Sequence, residues 1–150
     1  MRAAVVGVGN TLMRDDGVGV YVVRALERSG LPEGVDIVDA GTSTDAAFAL
    51  AEADRVIVLD AARLDGAPGT VYRLTVTEAS SCGCGVRSCH DVGLVETLRT
   101  VLGGREPEIV IFGVEPEVVG WGIGLTPNVE AAVPRVIELV KEELKGAECS

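Results

Sequence analysis

An α/β domain built on a mainly parallel sheet is the fold this sequence predicts, and three observations predict it. Short apolar runs rich in Val, Ala and Leu alternate with segments of helical period along the chain. Apolar residues make up 47% of the composition and aromatics only 3%, which suits aliphatic strands buried between helices. The length, 150 residues, fits one domain, and a chain of that size buries roughly 70% of the surface exposed when unfolded. The domain is expected to span 1–146, with 147–150 as a disordered tail.

Taken in order, Ala3 to Val8 reads as a strand and Gly17 to Ser29 as a helix stopped by Gly30 and Pro32. Within that helix Val18, Val20, Val22 and Val23 would also suit a strand. Val35 to Val38 is a short strand, Thr44 to Ala53 an Ala-rich helix, and Arg55 to Leu59 the clearest buried strand. Asp65-Gly66-Ala67-Pro68-Gly69 is a turn, and Thr70 to Val76 alternates as a half-exposed strand does. The polar stretch Thr77 to Arg87 is a loop. Leu94, Val95, Leu98, Val101 and Leu102 then line one helix face, and Ile109 to Val114 forms another strand. Val129, Ala132, Val133, Val136, Ile137, Val140 and Leu144 give the strongest amphipathic helix, which Pro134 should kink or restart. Linking these about five strands by right-handed crossovers gives a single parallel-type sheet.

Charge removes several function classes. A net charge of −10 disfavours nucleic acid and anionic membrane surfaces, and favours a basic protein partner or a bound cation. No apolar run approaches the ~20 residues of a membrane span. The start, Met1-Arg2 and then Ala3-Ala4-Val5-Val6, imitates a signal peptide only until glycines and charges interrupt it. A cytoplasmic monomer is expected, and Cys82, Cys84, Cys89 and Cys149 do not resemble a secreted disulfide framework.

Three polar residues at element ends carry the chemistry. Asp16 closes the turn that follows the first strand, Asp60 ends Val56-Ile57-Val58-Leu59, and His90 is the only histidine. In parallel sheets ligands bind outside the carboxyl ends of the strands, which is where Asp16 and Asp60 should project. Two carboxylates and an imidazole can form a small, open metal site. Ser88-Cys89-His90-Asp91 fits a helix start, and a histidine in the first turn is kept neutral, the form that binds metal. Plainer readings stand beside these. Asp15 or Asp16 caps the next helix, Asp60 bonds a loop amide, and His90 is a surface side chain.

Other motifs are weaker. Gly7-Val8-Gly9 after a strand, with Asp39 as a ribose-binding acid, suggests a dinucleotide site, but Leu12 stands where the third glycine belongs. Cys82, Cys84 and Cys89 beside His90 make a Cys₃His zinc site chemically possible, although the spacing is unusual and solvated or redox-active thiols are the simpler reading. A nucleophilic triad lacks its Gly-x-Ser-x-Gly turn, and Cys89 and His90 are too close in sequence to face one another on a helix.

Laid end to end, these blocks resemble the nickel–iron hydrogenase maturation proteases, endopeptidases that trim the C-terminal extension of hydrogenase large-subunit precursors. The likeness spans nearly the whole chain. Gly7-Val8-Gly9-Asn10-Thr11-Leu12 with Asp15-Asp16-Gly17-Val18-Gly19 resembles the opening signature, Asp39-Ala40-Gly41-Thr42 the second block, and Val58-Leu59-Asp60-Ala61 the third. Ser88-Cys89-His90 falls at a Ser-x-His element. Gly113-Val114-Glu115-Pro116, Trp121 and Gly124-Leu125-Thr126-Pro127-Asn128-Val129 resemble the closing blocks.

The resemblance implies a twisted, mainly parallel sheet with helices on both faces, of the phosphorylase/hydrolase-like kind. It implies Asp16, Asp60 and His90 as metal-binding residues, Asp16 standing where the family accepts Asp or Glu. Nickel would arrive already bound in the precursor, so that the three side chains report metal loading. A surrogate divalent ion such as zinc or cadmium suits the same donors. Asp16 or Asp60 would serve as the catalytic carboxylate, in line with an aspartic-type grouping. The cysteines at 82, 84 and 89 depart from the family pattern. A non-cleaving, metal-sensing maturation chaperone and a dinucleotide-binding oxidoreductase are the alternatives.

Overall fold

The computed structural model describes residues 2–41, 53–75 and 107–148. Its strands are β1 (Ala3–Val8), β2 (Val35–Gly41), β3 (Arg55–Ala61), β4 (Val71–Thr75) and β5 (Glu108–Val114). Its helices are α1 (Val18–Ser29), preceded by a 3-10 turn at Asp15–Gly17, and α2 (Pro127–Glu148). The strands form one five-stranded sheet in the order β2-β1-β3-β5-β4. All neighbours are parallel except β4, an antiparallel edge strand against β5. The α/β fold with a mainly parallel sheet is therefore as expected.

Burial follows the period of two. Val5, Ile57, Leu59, Val110 and Phe112 face α1 and α2, meeting Val22, Val23 and Leu26 of one helix and Val129, Val136, Val140 and Leu144 of the other. Ala4, Val6, Val8, Val56, Val58 and Ile111 make the opposite face with Ala40, Ala53 and Leu74. Each residue of β1 and β3 is buried, as central parallel strands require. Both described helices cover the first face. The helices expected at 44–53 and 94–102, and the loop at 77–87, lie outside the described residues except for Ala53.

Several boundaries differ from the sequence reading. β2 runs three residues beyond Val38, because Gly41 still accepts a hydrogen bond from the Gly9 amide (2.7 Å). Pro134 neither ends nor restarts α2, which begins at Pro127, a proline in the first turn where no amide donor is needed. The helix also carries to Glu148, two residues into the tail expected at 147–150. The ambiguous valines after Gly17 are helical, since Val18, Val22, Val23 and Leu26 meet the sheet as one stripe. Arg55, buried at the start of β3, pairs with Glu143 of α2 and fastens helix to sheet. The Arg73 hydrogen bond, working against burial and aided by both guanidinium charges, holds the Glu143 carboxyl below its ordinary value.

Candidate active site

The order β2-β1-β3 places the topological switch between β1 and β3, since the chain leaves β1 for β2 on one side and returns to β3 on the other. Gly7 of β1 is paired with Leu59 of β3, the last pair between these strands, so Val8 and Asp60 follow it side by side at the carboxyl ends, still paired outward to Gly41 and Gly113. Asp60 is almost wholly buried, and its Oδ1 accepts the Ala61 amide at 2.8 Å. Asp16 stands above the end of β1. Its Oδ2 accepts the Asn10 amide at 3.0 Å, which folds the turn back onto the strand it left.

Two glycines make that fold possible. A Cβ on Gly9, whose φ is +131°, would overlap the Asp16 carbonyl oxygen. A Cβ on Gly19 would overlap the Leu59 carbonyl oxygen and press on that of Val8. The first turn of α1 thus rests directly on the carboxyl ends of β1 and β3, and the turn Asp15–Gly17 packs against β3. Gly9 serves a tight backbone crossing. It is not there to admit a pyrophosphate, and Asp39, the ribose-binding acid of that reading, is ion-paired with Arg24 at 3.6 Å.

The two adjacent aspartates divide their work differently from the capping expectation. Gly17 is the N-cap of α1, and no side chain caps it. Asp15 is fully buried and points away from the helix, toward residues more than a hundred positions later. Its Oδ2 accepts the Glu117 and Val118 amides, both at 2.9 Å, and the Thr126 hydroxyl at 2.7 Å. Its Oδ1 accepts the Thr126 amide at 2.8 Å. Burial pushes this carboxyl up, but the four hydrogen bonds outweigh it and hold the pKa below the ordinary aspartate value. Asp16, half-buried, is left at the site.

The clasped segment returns to the Asp16 turn through its backbone. The Gly122 amide donates to Leu12 (2.9 Å), the Arg14 amide to Gly122 (3.1 Å) and the Asp15 amide to Val118 (3.1 Å). Arg14, at φ 54°, donates its Nε to the Gly124 carbonyl at 3.1 Å. Glu115, buried beyond β5, accepts at Oε1 from the Leu64 and Gly66 amides and the Tyr72 hydroxyl. Burial, reinforced by that carboxylate, raises the Tyr72 phenol.

The structure therefore brings Asp16 and Asp60 to one edge of adjacent strands. His90, Cys82, Cys84 and Cys89 lie outside the described residues. Among the described residues no group of three or more His, Cys, Asp and Glu side chains is arranged to hold a metal. Asp16 and Asp60 offer oxygen donors, and an imidazole is what would adapt such a pair to a late first-row ion. Sequence reasoning passed over the clasp by Asp15. The only signal was the doubled aspartate, one more than a cap or a ligand requires.

A family model described as hydrogenase maturation protease matches residues 20–143. The chain belongs to the hydrogenase maturation protease family. Hydrogenase 2 maturation protease of Escherichia coli K12 is 37% identical over 97% of this chain and 92% of its own. Coenzyme F420 hydrogenase subunit delta of Methanothermobacter thermautotrophicus is 31% identical, over 93% and 92% respectively. Among solved structures, the hydrogenase maturating endopeptidase HybD of E. coli superposes with a TM-score of 0.87 at 36% identity, covering 98% of this chain and 94% of that one. The NiFe hydrogenase maturation protease HybD of Thermococcus kodakarensis gives 0.80 at 27% identity, with 95% and 98% covered. Family membership displaces the dinucleotide-binding reading. No helix among the described residues is long and apolar enough to cross a membrane.

Proposed function

We propose that this member of the maturation protease family is an endopeptidase that removes the C-terminal extension of a nickel–iron hydrogenase large-subunit precursor after nickel has been inserted. The observation that carries the reading is Asp60 near the carboxyl end of β3 with the Asp16 turn folded back onto the segment leaving β1, where the strand order reverses. In this reading Asp16, Asp60 and His90 grip the nickel that the precursor brings, so metal loading becomes a condition for cutting. The nickel is part of the substrate, and zinc or cadmium would stand in for it on the same donors.

Peptide hydrolysis then needs water delivered to the scissile carbonyl. A carboxylate at the site removes a proton from that water, as in an aspartic-type mechanism, and the substrate's metal fixes the peptide within reach. A bound divalent ion can also polarise the carbonyl itself.

The test is mass spectrometry of nickel-loaded and nickel-free precursor incubated with the protein. A C-terminal peptide released only from the loaded precursor supports the reading. A stable complex with no peptide released would make the protein a metal-sensing chaperone instead. Processing that survives both Asp16→Ala and His90→Ala would reject the assigned site.

A further inference from the structure

Among the described residues, the exposed large apolar side chains are concentrated on the segment bonded to the Asp16 turn. Trp121 is 83% and Ile123 79% exposed, and Leu12, Val118 and Val119 stand with them. Leu12 belongs to the Asp16 turn, and the other four belong to the segment that Asp15 clasps. We infer that this crest is where the hydrogenase precursor seats an apolar segment flanked by basic side chains, an inference that rests on the peptidase reading above.

The crest is continuous with the site. Hydrogen bonds from Gly122 to Leu12, and from Arg14 to Gly122, join it to the turn ending in Asp16, so a polypeptide reaching that carboxylate passes over it. It is also held out to solvent by design of the interior. A buried carboxylate is costly unless fully bonded, and Asp15 spends all four of its described hydrogen bonds on the two ends of this segment. The segment is thereby fixed at Glu117, Val118 and Thr126, with Trp121 and Ile123 raised between them. Contiguous apolar surface of this kind marks protein contacts, and tryptophan is prominent among the residues that carry their affinity.

Charge selects the occupant. Two copies of this chain, each with a net charge of −10, would repel one another as they approach. A precursor segment with lysine or arginine beside its apolar residues would meet exposed Glu117 at the edge of the crest, while Asp16 stays with the precursor's metal. Arg14, whose Nε donates to the Gly124 carbonyl, keeps its positive charge beside Gly122, so the basic side chains of the precursor segment belong on the Glu117 side.

The experiment is equilibrium binding of nickel-loaded precursor to the full-length protein and to Trp121→Ala/Ile123→Ala, with peptide release followed separately. The double variant should raise Kd at least about tenfold while the unfolding midpoint stays put, and Trp121→Phe should restore most of the affinity. An unchanged Kd overturns the inference. So does a concentration-dependent dimer of the wild type that the double variant dissolves, because a second copy would then be the occupant. If the wild type binds the precursor without releasing a peptide, the peptidase reading fails, and the Kd comparison still decides the crest.

Discussion

Asp15 and Thr126, 111 residues apart in sequence, are joined twice, the amide of Thr126 donating to one oxygen of Asp15 at 2.8 Å and its hydroxyl to the other at 2.7 Å. This pair closes the segment after β5 onto the turn after β1, and so fixes the surroundings of Asp16. Asp15→Asn would keep the shape but turn an amide NH₂ toward donors that need an acceptor. The expected loss is about 2–3 kcal/mol, since buried donors left unpaired forfeit their solvation. Thermal unfolding should read this as a midpoint roughly 5–10 °C lower.

The same carboxyl predicts a pH dependence. Its pKa in the folded chain lies below the ordinary value because hydrogen bonds outweigh burial. A group depressed by folding contributes stability above its unfolded pKa of about 3.9, and the contribution is lost as pH falls through the folded value. Urea unfolding of wild type and Asp15→Asn should therefore show a constant gap near neutrality that narrows in acid. A gap that widens as pH falls would contradict the assignment.

How much of this was legible in the sequence depends on the range of the interaction. β1, β3 and β5 were readable because central parallel strands are apolar on both faces and leave a continuous run. The burial of Asp60 at the strand end was readable because it directly follows such a run. The clasp of Asp15 was not readable, because its partners are backbone amides, which every residue carries, at positions set only by the fold. Likewise β2 looked shorter than it is, since Asp39-Ala40-Gly41 has no strand pattern and is held by pairing with β1. Trp121 could be noticed in sequence, but its exposure could not, for tryptophan is ordinarily well buried.

Gly19 and Gly146 should answer oppositely to the same substitution. A methyl group at Gly19 would strike the Leu59 and Val8 carbonyls, backbone that cannot yield without moving β1 or β3. Gly19→Ala is expected to cost about 1–3 kcal/mol, the range for overpacking, and to lower processing by lifting the Asp16 turn off the strand ends. Gly146, exposed near the end of α2, has nothing within 4 Å of the added atom. Gly146→Ala should stabilise by about 0.5–1 kcal/mol through lost unfolded-state freedom. Denaturant midpoints of the two variants, on opposite sides of the wild type, are the check.

Asp60 separates a structural from a chemical role more cleanly than Asp16 does. It is buried at the end of β3, and its Oδ1 accepts the Ala61 amide, a bond that an asparagine oxygen can keep. Asp60→Asn should therefore leave the fold in place, with an unfolding midpoint within a few degrees of the wild type, in the manner of substitutions that preserve packing. What it removes is the charge, and with it the capacity to bind a divalent ion or accept a proton from water. If the carboxylate acts in either way, release of the C-terminal peptide should fall by about 10²-fold or more, the scale of a lost general base. Raising the nickel-loaded precursor concentration should recover little of that rate if the lost step is proton transfer, and most of it if the lost step is gripping the metal. A variant that cuts at the wild-type rate would leave Asp60 as a strand-end residue serving its own backbone.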